Sequence, residues 1–159
     1  MKKHSIKTIA FIICFAAIFT MCGCNGSKRA ERITDVITEA ERVTINGKDA
    51  DTVEAKMGAF QGKQGDYIEF FLSEPKEINT VFINEKTATI RQYNIFAKID
   101  GKYTLVHTGK HVFSENIYFD TVTATAIKVQ IVNTEIGNDN FIIQGINAYN
   151  LPQETTKGE

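Results

Sequence analysis

Five hydrogen-bond donors, Arg91, His111, Asn116, Asn138 and Asn140, fall in or beside the same polar stretches as three phenylalanines, Phe60, Phe113 and Phe141. Flat apolar rings next to guanidinium, imidazole and amide groups suit a ligand with an apolar ring face and a rim of hydroxyls, which is the chemistry of a sugar. The same residues have plainer uses. Phe113 and Phe141 can close a core, Arg91 can sit in solvent, and the run GNDN at 137–140 can be a turn. The chain has no Trp, so the strongest kind of stacking platform is missing.

Signals for catalysis are weak beside these. His107 and His111 are four apart but fall on a strand and a loop, where helical metal-ligand spacing does not apply. Acidic residues are scattered, with no pair set for acid–base work on a glycosidic bond. Ser5, Ser27, Ser73 and Ser114 sit in no nucleophile-elbow pattern. The glycine-rich stretch 58–65 lacks the Lys-Ser/Thr ending of a phosphate loop. We expect no enzyme.

The elements that must position the donors are strands. In IRQYNIFAKIDGKYTLVH, residues 90–107, Tyr93, Ile95, Ala97 and Ile99 alternate with polar neighbours, which Phe96 alone interrupts. Asp100-Gly101 suits a two-residue type I′ turn, placing Ile95 opposite Val106 and Ala97 opposite Thr104. Further strands are expected at 43–45, 67–72, 78–84, 117–120, 126–133 and 141–149, the last with a bulge near Gly145. Residues 73–77 (SEPKE) read as a tight connection, and 33–43 as a helical turn or a lead-in strand. The sum is an all-β, antiparallel, eight-stranded sandwich or barrel. Strand parity puts the loops 56–66, 85–89, 109–115 and 134–140 at one end, where binding residues tend to gather.

Ahead of the domain, Lys2, Lys3 and Lys7 precede an apolar run at 9–21. It is shorter than the roughly 20 residues of a membrane span and has the flanks of a secretory leader. The sequence MCGC that follows resembles a bacterial lipobox, with Met21 three residues before Cys24. That implies cleavage after residue 23, a lipid on Cys24 and an extracytoplasmic location on the cell membrane. All three cysteines (Cys14, Cys22, Cys24) lie in or at the edge of this leader, so the body can form no disulfide and use no thiol. Without the three leader lysines, 15 Lys and Arg stand against 19 Asp and Glu, a net charge of −4 that argues against nucleic acid as a partner. The remaining 136 residues make one domain at 33–150, after a tether at 24–32 and before a polar tail at 151–159.

Four blocks carry a resemblance: GDYIEFFLSEPKEINTVFINE, IRQYNIFAKIDGKYTLVHTG, FDTVTATAIKVQIVN and IIQGINAYN. In order and spacing they resemble the discoidin, or coagulation factor 5/8 type C, family, above all its galactose-binding-like versions attached to bacterial glycosidases such as α-L-fucosidases. The resemblance implies an eight-stranded jelly roll and a carbohydrate-binding role. In relatives that bind galactose-like sugars, a His, an Arg and an Asn act with an aromatic before the last strand. Phe141 matches that aromatic by position and Asn116 the Asn, but no Arg stands near Asn116 and no His lies in 85–89. The family's calcium loop corresponds to NGKDADTVE, with Lys48 at an acidic position. Asp49 and Asp51 remain as ligands, and Gln144-Gly145 replaces a later Ser-Glu. With two carboxylates gone, loss of the calcium ion is favoured over its retention.

Two functions stay open: a non-catalytic carbohydrate-binding lipoprotein, or a scaffold lipoprotein that has kept the sandwich and contacts another envelope protein. Both require the anchor. Cys24→Ala should leave the chain unprocessed or free of the membrane, read by fractionation and mass; unchanged retention and mass would refute lipidation.

Overall fold

The computed structural model describes residues 33–50, 52–112 and 114–152. The leader, the tether with Cys24, the tail beyond 152, and Asp51 and Phe113 lie outside them. In chain order come a 3₁₀ turn at Val36–Glu39, β1 (Ala40–Ile45), β2 (Lys48–Asp49), α1 (Val53–Lys56) and β3 (Phe60–Lys63). Then follow β4 (Tyr67–Glu85), β5 (Ile90–Ile99), β6 (Lys102–Gly109), β7 (Asn116–Thr134) and β8 (Asn140–Tyr149). Every pairing is antiparallel.

Eight strands were expected and eight are present, but they are not the same eight. Residues 67–72 and 78–84 are one strand, β4, and residues 117–120 and 126–133 are one strand, β7. The expected connection at 73–77 is a corner in β4, where pairing with β7 slips between Phe71 and Lys76 and Pro75 needs no donor. The short strands β2 and β3 make up the number. The helix α1 was not expected; Thr52 starts it by accepting from the Ala55 amide at 3.1 Å. Gly58 ends it at φ 77, with its missing side chain pressed against Ile146.

Because β4 and β7 pair along both halves, each serves two layers. The front layer runs β2-β1-β4-β7-β5-β6; the back layer is β3-β8-β4-β7. Alternation does the rest. Ile68 and Phe70 of β4, Ile127, Val129 and Ile131 of β7, and Ile95 and Ala97 of β5 point inward from the front and are fully buried. Ile83, Ile143, Ile146 and Ala148 meet them from the back in one core. Each large side chain buried this way contributes about 1.5–3 kcal/mol.

The 33–43 segment is both things it was read as, a turn and then a strand. Asp35 holds it down: its carboxylate accepts from the Ile37 amide at 3.1 Å, the Asn147 amide at 2.6 Å and the Ala148 backbone at 3.0 Å. Asp100 and Gly101 (φ 49 and 79) form the expected turn, and Ala97 does face Thr104. Ile95, however, faces His107 rather than Val106, because Val106 is an extra residue in β6. The bulge expected near Gly145 sits at Gln144, next to it.

Phe60 (5% exposed) and Phe141 (0%) meet edge to face at 5.1 Å and 76° inside the core, so neither offers a ring to a ligand; this corrects their reading as platforms. Phe141→Ala should therefore cost about 3–5 kcal/mol of stability in a denaturant melt. A loss below about 1 kcal/mol would place the ring outside the core.

Candidate ligand-binding loop end

The loop between β4 and β5 is folded around one carboxylate. Glu85 Oε1 accepts from the Thr89 amide at 2.6 Å, the Ile90 amide at 3.0 Å and the Thr87 hydroxyl at 3.0 Å. These bonds satisfy backbone donors that the turn would otherwise leave unpaired, and they hold Ala88 at φ 51, a strained angle for a residue with a side chain.

From this centre the other loops are tied in. The Thr89 hydroxyl donates to the Asn140 carbonyl at 3.0 Å, and the Glu135 amide donates to the Thr89 carbonyl at 2.8 Å. The Gln64 amide reaches the Asp139 carbonyl at 3.1 Å, and the His111 amide reaches the Arg91 carbonyl at 3.4 Å. Loops 61–66, 85–89 and 134–140 thus share one end, with His111 at its margin, as strand parity suggested.

Of the expected donors, Arg91 reaches this rim but is engaged: its guanidinium pairs with Glu135 at 2.9 Å and donates to the Ala88 carbonyl at 2.9 Å. His111 is exposed at φ 63. Asn138 and Asn140 are exposed and adjacent, the Asn140 amide donating to Asn138 Oδ1 at 3.4 Å. Asn116 starts β7 opposite Phe82, and its side-chain amide donates to the Tyr118 hydroxyl at 3.3 Å. His107 stacks on Tyr93 at 5.9 Å, and burial lowers its pKa.

The hollow at this end joins Asn140 and Phe141 to residues that the sequence does not single out. A groove of about 440 Å³ is lined by Gln61, Gly62, Lys63, Asp66, Asn140, Phe141 and Ile142, and a second of about 310 Å³ adjoins it at Lys63, Gln64 and Asp139. Asp66 is fixed by the Lys63 amide at 2.8 Å and the Asn46 side chain at 2.9 Å. Gly62 lies over the buried Phe141, where a Cβ would stand 2.9 Å from the ring. An ammonium, a carboxylate and amides around a shallow polar hollow can exchange hydrogen bonds with hydroxyls. The pair Gly62 and Gly65 bracketing Lys63 was the available signal, weighed above only as a phosphate loop.

The loop matched to the family's calcium site is described in part. Asp49 lies in β2 and faces Arg42 at 3.7 Å, and among the described residues no three acidic, His or Cys side chains are grouped to hold a metal. Asp51 falls outside them.

No protein-family model matches the sequence, and no curated protein matches it. Solved structures do. The family 32 carbohydrate-binding module of C. perfringens NanJ, in complex with galactose, matches 75% of this chain and 100% of its own, at 15% identity and a TM-score of 0.59. The fold is the discoidin-like jelly roll. Chitosan-binding module 1 of a Paenibacillus sp. IK-5 chitosanase/glucanase matches at 17% identity and a TM-score of 0.59, over 74% of this chain and 99% of its own. A candidate α-L-fucosidase from Bacteroides thetaiotaomicron matches at 26% identity and a TM-score of 0.51, over 59% of this chain. The match spans only 22% of that fucosidase's length.

If Glu85 organises this end, Glu85→Ala should speed hydrogen exchange of the Thr89 and Ile90 amides about tenfold or more, at a global cost on the order of 2 kcal/mol. Unchanged exchange at both amides would show that the loop holds its shape without the carboxylate.

Proposed function

We propose that this chain is a non-catalytic glycan-binding module, held on the extracytoplasmic face of a bacterial membrane by a lipid on Cys24. The observation that carries the binding role is the end-to-end match to modules described with galactose and with chitosan. The polar groove at Lys63, Asp66 and Asn140 supports it, at the loop end where such a sandwich can present variable chemistry on a rigid frame. The leader sequence supports the anchor.

One observation favours the scaffold reading. Ile136, at the tip of the 134–140 loop, is fully exposed, and of the expected platforms Phe60 and Phe141 are buried. An apolar tip of this kind suits contact with another envelope protein.

A neutral-glycan array probed with the full chain in a non-ionic detergent separates the two. We expect binding that Lys63→Ala with Asn140→Ala weakens by about tenfold, the scale of one or two lost hydrogen bonds to ligand. No glycan bound, together with a protein captured through Ile136, would replace the glycan reading with the scaffold one.

A further inference from the structure

Away from the loop end, the outer face of the front layer is not the wet polar surface its alternation implies. Lys128 of β7 stands 4.1 Å from the ring centre of Tyr103, 4.7 Å from Phe96 and 5.4 Å from Tyr67. Arg42 of β1 lies 4.1 Å over Phe71, and Lys98 of β5 reaches Phe71 and Tyr103 at 5.7 and 5.8 Å. Strand register explains the meeting. Arg42 pairs with Phe71, Phe71 with Ala126, and Lys98 with Tyr103, so small Ala126 leaves a gap across which the larger side chains lean.

The charge on this face is one-sided. Its carboxylate, Glu69, is 8% exposed and takes the Thr44 hydroxyl at 2.7 Å, beneath the rings. Among the described residues neither Lys98 nor Lys128 has a carboxylate within 4.0 Å, and Arg42 has only Asp49, at 3.7 Å on the β2 edge. Yet residues 33–152 hold 11 Lys and Arg against 16 Asp and Glu. Lys128 stands opposite Glu69 across the strands, so among the described residues Lys98 is left without a facing carboxylate and Arg42 with an edge one, on a domain that is acidic overall.

We propose that this face is a second binding surface, for a carboxylate-bearing polysaccharide lying across the strands. The cations sit on β1, β7 and β5, which are two strands and then one strand apart, or roughly 10 Å and 5 Å at the usual strand spacing. A row of charges suits an extended polymer with repeated carboxylates better than a single small anion. The aromatic rings leave each positive charge intact while restraining its long side chain, so less rotamer freedom is lost when a carboxylate arrives. Gln130 and Asn94, paired on the same face, supply amides for hydroxyls; Asn94 Oδ1 already accepts from Thr108 at 2.9 Å, which points its NH₂ to other partners.

The test uses the full chain in a non-ionic detergent, with polygalacturonate and its fully methyl-esterified form as probes in affinity electrophoresis. Binding should be confined to the carboxylated polymer and should fall with added salt. Arg42→Gln with Lys98→Gln should weaken it about tenfold or more. Arg42→Lys with Lys98→Arg should keep it, which guards against a folding defect in the first pair. Lys63→Ala with Asn140→Ala, at the loop end, should leave it unchanged. Equal retention by the ester, no retention of either polymer, or full binding by the Gln variant would overturn the proposal. So would stronger, Arg42- and Lys98-dependent binding to phosphatidylserine vesicles, which would make the face a membrane contact.

Discussion

The pairing of β4 with β7 along both of their halves is the constraint on which the rest depends. Each strand has 19 residues and passes from one layer to the other, so each must present an apolar face inward on both sides of a bend. On β4 that face is Ile68 and Phe70 before the corner and Val81 and Ile83 after it. Once these two strands cross, the edges are determined. β1 can join only beside the first half of β4, β8 only beside the second, and β5 only beside the second half of β7. The loop end is a consequence, since it is where β4 and β7 finish and β5 and β8 begin.

The inward face was legible because period-2 alternation reports burial directly: Tyr93, Ile95 and Ala97 alternate with polar neighbours and are buried. The turn at Asp100-Gly101 was legible because both of its residues take positive φ, which few dipeptides tolerate. What alternation cannot report is whether a polar stretch interrupts a strand or merely bends it. SEPKE carries a proline and charges, so it reads as a loop, while in space it is extended backbone at an exposed corner. The short strands β2 and β3 have no alternation to read; β3 exists because Phe60 is buried beside Phe141 and brings 60–63 against β8.

The candidate site was legible by location and poorly legible by residue. Parity places loops, and the loops are where parity put them. Residue type does not say which way a ring points: Phe60 and Phe141 flank polar stretches, as a platform would, yet both lie beneath the rim. Arg91 was visible as a donor, but its engagement with Glu135 rests on a contact 44 residues away in the chain. Glu85 had no signal in residue type, since its role is to accept from the backbone amides of Thr89 and Ile90 once the turn has formed.

The outer face of the front layer poses a last physical question, whether its cations are there to bind or to cover. Covering explains part of it. Glu69 and the Tyr103 hydroxyl are both buried on the solvent side of a sheet, and burial together with the Glu69 charge holds the Tyr103 proton on well above the usual phenol range. A buried carboxylate needs positive charge nearby, and Lys128 among three rings supplies it. That account requires one cation. It does not require Arg42 or Lys98, which stand over Phe71 at the other side of Ala126. Arg42 is more than half exposed and its acidic neighbour lies at the sheet edge, so its charge faces water. Cation–ring contacts at exposed sites contribute only about 0.5–1 kcal/mol each. Stability alone is therefore a modest return for three restrained cations on one face of an acidic domain, and a ligand that supplies the missing carboxylates accounts for the two that covering leaves over.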